Sequence, residues 1–172
     1  MEVAIVSDTH VPDREESIPD PHRRRIREAD HAIHAGDFTS RATYDEVVEL
    51  ADEDSLTAVR GNMDPPGDID PDAVGLAEVA AVDLGGVTFV VTHGTVRSPD
   101  DWYDAVADAA RGHGEDPVVG VGGHTHRVED EVHEGVRVLN PGSVTGAAPA
   151  ERATMLTATV ADGAVEVTVH EA

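Results

Sequence analysis

The sequence predicts an α/β fold, a four-layer αββα sandwich of two mixed β-sheets flanked by helices. Three observations carry this. The first half of the chain alternates short apolar runs with helical segments, while the second half is mostly hairpins, so two sheets are expected rather than one. The apolar runs are short and continuous, as in strands buried on both faces. Hydrophobic residues make up 40% of the chain but aromatics only 3%, so the core must rest on Val, Ala, Leu and Ile. At 172 residues the chain has the length of one compact domain, and a single domain over 1–172 is expected.

The elements follow in order. "EVAIVSD" (2–8) is a buried strand that opens into a loop, and "DPHRRRIREADH" (20–31) is a helix with proline near its start. "HAIHAGD" (31–37) is a second strand ending in Gly-Asp. A helix follows over 40–53, with Ser40 or Thr39 as its N-cap. "SLTAVRGN" (55–62) is a third strand ending in Gly-Asn, and 64–78, with three prolines, is a loop. Residues 78–94 form a hairpin around Gly85-Gly86, and 98–114 a helix that starts at Ser-Pro-Asp and stops at glycine. "PVVGVGGHTH" (117–126) is another buried strand. Two further hairpins are expected over 127–143 and 153–171, the last turning at Asp162-Gly163.

The net charge is −23, and all 12 basic residues are arginine. The acidity is spread along the chain, which suits a surface solvated at high salt, and the composition resembles that of halophilic archaeal proteins. Such a surface repels nucleic acid, so a broad nucleic-acid-binding face is not expected. No stretch approaches the ~20 apolar residues that span a bilayer, and "MEVAIVSD" enters a strand with no charged-then-apolar leader, so a cytoplasmic protein away from membranes is expected. The absence of cysteine excludes disulfides and thiolate ligands.

Five strand ends carry polar groups: Asp8-Thr9-His10, Gly36-Asp37, Gly61-Asn62, Thr92-His93-Gly94 and Gly123-His124-Thr125-His126. In α/β sheets ligands gather at the carboxyl ends of strands. The set holds two aspartates, one asparagine and four histidines, a mixture of imidazole and oxygen that suits Mn, Fe, Co, Ni or Zn more than Ca or Mg. Seven ligands exceed one tetrahedral ion and fit two if a carboxylate bridges.

In this order, Asp-x-His, Gly-Asp, Gly-Asn, Thr-His-Gly and Gly-His-Thr-His resemble the calcineurin-like metallophosphoesterase superfamily across essentially the whole chain. "SDTH", "VRGNMD", "THG", "GGHTH" and "LNPGS" resemble its small YfcE-like phosphodiesterases. The resemblance implies the metallophosphoesterase fold and two divalent metal ions, Mn²⁺ first, with Ni²⁺, Zn²⁺, Fe²⁺ or Co²⁺ as alternatives. It implies that Asp8, His10 and His126 hold one ion, that Asn62, His93 and His124 hold the other, and that Asp37 bridges. Catalytic parts fall to Asp37, Asn62 and His10, with a hydroxide between the metals as nucleophile, and Asp64 is expected to hold the Gly-Asn turn. Asn140 and Ser143 are read as turn residues beside the site, with orientation of ligands or backbone as the alternative. His22, His31, His34, His113, His133 and His170 match no motif; His34 is read as core and the others as surface.

Phosphomonoesterases of the superfamily carry histidine where this chain has Met63, and methionine cannot donate a proton. The expectation is therefore hydrolysis of a small phosphodiester. The alternatives are a small-molecule phosphomonoesterase and a non-catalytic scaffold of the retromer-subunit type. Related small enzymes form homodimers or homotetramers.

Overall fold

The computed structural model describes residues 1–172. Ten strands form two five-stranded mixed sheets. The first contains β1 (Glu2–Val6), β2 (His31–His34), β3 (Leu56–Ala58), β9 (Thr154–Ala161) and β10 (Ala164–Glu171), in the order β10-β9-β1-β2-β3. The second contains β4 (Val79–Leu84), β5 (Val87–Thr92), β6 (Val118–Val121), β7 (Val128–His133) and β8 (Val136–Pro141), in the order β4-β5-β6-β8-β7. β1, β2 and β3 are parallel, as are β5, β6 and β8. The hairpin strands β10, β9, β4 and β7 add antiparallel neighbours.

Side-chain alternation along the strands builds three apolar layers. Val3 and Ile5 of β1 meet Phe89 and Val91 of β5 between the sheets. Ala4 and Val6, on the other face of β1, pack under helices α1 (Asp20–Glu28) and α2 (Arg41–Ala51) through Ile26, Val47 and Leu50. Val90 turns away from the inter-sheet core and meets α3 (Trp102–His113) at Trp102, Val106 and Ala110. Both faces of the central strands are covered, which is why they read as continuous apolar runs. This is the four-layer αββα sandwich that the element pattern implies.

Boundaries shift where competing bonds win. α1 stops at Glu28, because Asp30 turns to accept the Glu2 N–H through its carboxylate (2.7 Å) and β2 starts at His31. Ser40 is the N-cap of α2, taking the Thr43 N–H at 3.2 Å, while the Thr39 hydroxyl donates to the Val11 carbonyl. β3 is only three residues long, and Val59 then bridges to Ala77 in the turn-rich stretch 64–78. A short 3₁₀ turn, Pro99–Asp101, leads into α3, so Ser98 caps the turn rather than the α-helix. His22 corrects the surface reading. It is fully buried, its Nδ1 2.9 Å from the Val144 carbonyl, because it lies on the face of α1 that carries Ile26. No helix is long and apolar enough to cross a membrane.

Self-repulsion among 35 acidic side chains opposes compactness, and 12 arginines offset little of it. Raising KCl from ~0.1 M to ~1 M shortens the screening length from about 10 Å to about 3 Å. The thermal midpoint measured by scanning calorimetry is expected to rise by several degrees; a flat or falling midpoint contradicts this.

Candidate metal centre

The carboxyl ends of β1, β2, β3, β5 and β6 open on one edge of the sandwich, and the loops that follow them interlock. The Asp8 N–H donates to the Gly36 carbonyl (3.0 Å), the His10 N–H to the Asp37 carbonyl (3.2 Å) and the Gly123 N–H to the His93 carbonyl (3.1 Å). Backbone torsions aim the side chains. Asp8, His10, Asp37, His124 and His126 all have φ between 48° and 68°. This left-handed region costs a non-glycine residue roughly 1–2 kcal/mol and concentrates at functional sites. The β-strand direction ends abruptly there, and the side chains of Asp8, His10, Asp37 and His126 swing inward.

Two glycines make the close approach possible. A Cβ on Gly61 would strike the Asp37 carboxylate, and one on Gly123 would strike the Ser7 hydroxyl and come within 2.7 Å of Asp8 Oδ2.

Asp8 and Asp37 are 0% and 2% exposed, and each has one oxygen held by backbone and one turned inward. Asp8 Oδ2 accepts the His124 N–H at 3.0 Å, which Oδ1 shares at 3.2 Å. Its Oδ1 faces His126 Nε2 at 3.2 Å, His10 Nε2 at 3.8 Å and His93 Nε2 at 3.9 Å. Asp37 Oδ1 accepts the Met63 N–H at 2.8 Å, and its Oδ2 lies between His93 Nε2 (3.2 Å) and His10 Nε2 (3.4 Å). Two potential ion-holding groups result: Asp8, His10 and His126, and Asp8, Asp37 and His93. Asp8 belongs to both, while Asp37 Oδ2 touches one histidine of each.

The tautomers test whether a cation fits. His93 Nδ1 lies 2.6 Å from the Ala35 carbonyl, and His126 Nδ1 lies 2.7 Å from the Ala147 carbonyl. A nitrogen facing a carbonyl carries the proton, so in the neutral ring Nε2 presents a lone pair. The His93 lone pair points at Asp37 Oδ2 and that of His126 at Asp8 Oδ1, while His10 Nε2 approaches His126 Nε2 at 3.3 Å. His93 Nε2 is buried and forms no hydrogen bond. Acceptors facing acceptors in a buried space need a proton or a cation between them, and this donor set suits a divalent ion of intermediate softness.

Burial alone would push the His93 pKa down, but the carboxylates of Asp37 and Asp8 outweigh it and raise it to about 9. His126 is raised too, burial being overcome by Asp8. Burial opposes ionisation of Asp8 and Asp37, yet the imidazoles beside them hold both below the usual carboxylate range.

His124 and Asn62 stand apart from this cluster. His124 Nδ1 faces Asn62 Oδ1 and its Nε2 faces the Val96 carbonyl, both at 3.0 Å. Asn62 is exposed, and its Oδ1 also takes the Thr95 hydroxyl at 3.4 Å. The pair sits beside His93, whose ring lies 5.3 Å from that of His124. Asn62 and His93 open into a cavity of about 570 Å³ that Arg60, Glu78 and Thr95 also line.

Asp64 is fully buried and accepts three backbone N–H groups: Gly61 at 2.7 Å, Thr39 at 2.9 Å and Asp37 at 3.1 Å. It ties the Gly-Asn turn to the loop bearing Asp37. Burial raises its pKa against those three donors. Asn140 and Ser143 do more than turn the chain. The Asn140 amide donates to the Gly123 carbonyl (2.8 Å), and the Ser143 hydroxyl to the Asp8 carbonyl (2.8 Å). His34 is core as expected, but it is also a strut. Its Nδ1 takes the Gly36 N–H, so Nε2 donates to the Thr9 hydroxyl at 2.7 Å, and burial lowers its pKa to about 3. Thr145, which has no motif of its own, donates to the Thr9 carbonyl at 2.8 Å. The run "NPGS" was the sequence signal near these supports; nothing marked Thr145.

Comparison with known proteins agrees with this layout. A family model described as the calcineurin-like phosphoesterase superfamily domain matches residues 1–163. A "Probable metallophosphoesterase" of Methanothermobacter thermautotrophicus is 32% identical over 145 residues, spanning 84% of this chain and 78% of that protein. The solution structure of a Thermotoga maritima protein is 29% identical with a TM-score of 0.72, covering 99% of each chain. The Zn²⁺ complex of Vps29 from Entamoeba histolytica is 25% identical with a TM-score of 0.68, again over 99% of each chain. The chain belongs to the calcineurin-like phosphoesterase superfamily.

Two outcomes are expected. Asp64→Asn turns an amide N–H₂ toward backbone donors, so it should lose about 1–3 kcal/mol of stability in urea titration and weaken metal uptake; wild-type behaviour in both contradicts the strut. His93 has a raised folded pKa, so its ion-pair contribution to the metal-free fold is complete below 6.5 and is lost as pH rises through about 9. Mn²⁺ uptake must displace that proton. It should release protons and tighten with rising pH, read by calorimetry in buffers of different ionisation enthalpy.

Proposed function

We propose that this superfamily member hydrolyses phosphodiesters with two divalent cations, one held by Asp8, His10 and His126 and the other by Asn62, His93 and His124, with Asp37 between them. The observation that carries the reading is the inward convergence of two buried carboxylates and three imidazole Nε2 atoms that lack any other protein partner chemistry. Cations bound there would neutralise phosphoryl oxygens and lower the pKa of an attacking water.

The chain's own residues do the rest. Backbone N–H groups fix one oxygen of each aspartate, so the other oxygen is presented without rotation. Asn62, exposed, and His124, half-buried, are paired with each other at 3.0 Å beside His93, and both would hold the second cation there. The buried hydroxyls of Thr9, Ser143 and Thr145 are committed to His34 and to backbone carbonyls, so none serves as a nucleophile. At position 63 only the backbone N–H acts, on Asp37; the methionine side chain supplies no acid for a poor leaving group. Diesters and esters of acidic alcohols depend least on such an acid, which favours a phosphodiesterase over a phosphomonoesterase. Mn²⁺ is the first ion to try, and the acidic surface is taken to suit a saline cytoplasm.

A scaffold of the retromer-subunit type is the second reading, favoured by the likeness to Vps29 over nearly the full chain. Turnover separates the two. With Mn²⁺ at high salt, bis(p-nitrophenyl) phosphate should be hydrolysed faster than p-nitrophenyl phosphate. Asp37→Ala should lower the diester rate by roughly a hundredfold or more and reduce bound metal measured by elemental analysis. An enzyme inactive under every divalent ion tried would leave only the scaffold.

A further inference from the structure

We infer that the groove beside His124 is a second anion subsite, which selects diesters whose non-leaving arm carries another phosphate. This rests on the phosphodiesterase reading and names its substrate class.

The groove has a volume of about 290 Å³ and is walled by Val96, Arg97, His124, Thr125 and Arg127 with two prolines. It adjoins the candidate metal centre, because His124 lines it and bonds the Val96 carbonyl on its wall. Its lining contains no acidic residue, on a chain where acids outnumber bases 35 to 12. Six of the arginines, at 23, 41, 60, 111, 137 and 152, are ion-paired. Arg14 and Arg25 donate to backbone carbonyls. Four guanidinium groups remain without a carboxylate or hydrogen-bond partner. Arg24 and Arg27 lie exposed on α1, and the other two, Arg97 and Arg127, come from different loops to the rim of this one groove. Arg127 also borders a cavity containing Glu151 and Glu171, but pairs with neither, and Glu171 is bound to Arg152.

The cavity on the Asn62 side is built otherwise. There Arg60 is held by Asp72 (3.1 Å) and Glu78 (3.0 Å), and Glu78 itself lines the cavity. One side therefore offers free planar donors suited to phosphate, and the other offers an arginine already neutralised. A substrate with a second phosphate is oriented by this difference, with that phosphate over Arg97 and Arg127 and the leaving group toward the Asn62 side.

Two chromogenic esters that differ by one group test this: thymidine 5′-(p-nitrophenyl phosphate) and the same ester with a 3′-phosphate. For the wild-type metal-loaded protein the 3′-phosphate should raise kcat/KM by about tenfold, mainly through KM. Arg97→Gln and Arg127→Gln should each reduce that preference and together erase it. Turnover of bis(p-nitrophenyl) phosphate, which has no second phosphate, should stay within about twofold of wild type. Equal kcat/KM for the two esters in the wild type, or a preference that survives in the double variant, overturns the subsite. If neither ester is hydrolysed, the phosphodiesterase reading fails and binding decides the subsite. Thymidine 3′,5′-bisphosphate should then bind more tightly than thymidine 5′-monophosphate in calorimetry, and only with both arginines present; equal affinities overturn it.

Discussion

Two carboxylates buried side by side are the constraint around which this molecule is arranged. Asp8 and Asp37 sit where water is excluded, and their inward oxygens share the same imidazoles. Charges in such a place are tolerated only with compensating charge and fixed hydrogen bonds. The protein supplies both. Each aspartate has one oxygen pinned by a backbone N–H from another loop, and three imidazoles surround the other oxygens. The arrangement is self-consistent with protons on the histidines or with cations in their place.

The strained torsions follow from the same constraint. Six loop residues at the site adopt left-handed torsions, in three pairs two positions apart: Asp8 and His10, Asp37 and Thr39, His124 and His126. They persist because the loops are bonded to each other more densely than to solvent. Ser143 and Thr145 hold the carbonyls of Asp8 and Thr9, Asn140 holds that of Gly123, and Asp64 gathers three N–H groups from the two loops beyond β2 and β3. The sandwich beneath contributes by ending five strands at one edge.

The strand ends were legible because chemistry and punctuation coincide there: an apolar run, then Asp, Asn or His, with a glycine before Asp37, Asn62 and His124. The hairpins were legible from Gly85-Gly86 and Asp162-Gly163, where the strands do turn. Long-range bonds were less so. Ser143 reaches Asp8 across 135 positions, and the His124 N–H reaches the Asp8 carboxylate across 116. No local pattern records such a pairing, so Asn140 and Ser143 read first as turn residues and only second as groups that orient the backbone. His22 read as surface because it matches no motif, although helical periodicity places it with Ile26. The pairing of Asn62 with His124 was hidden for the same reason: motif order groups ligands but does not say which side chains face one another before an ion arrives.

Asp64 joins the turn before Asn62 to the loop of Asp37, so two of the ligand-bearing segments move as one body. Much of the ordering that ligands usually undergo on capture is then completed during folding. What is fixed in advance is the donor set: imidazole nitrogens with few oxygens suit a divalent ion of intermediate softness better than Ca²⁺, which needs six to eight oxygen ligands.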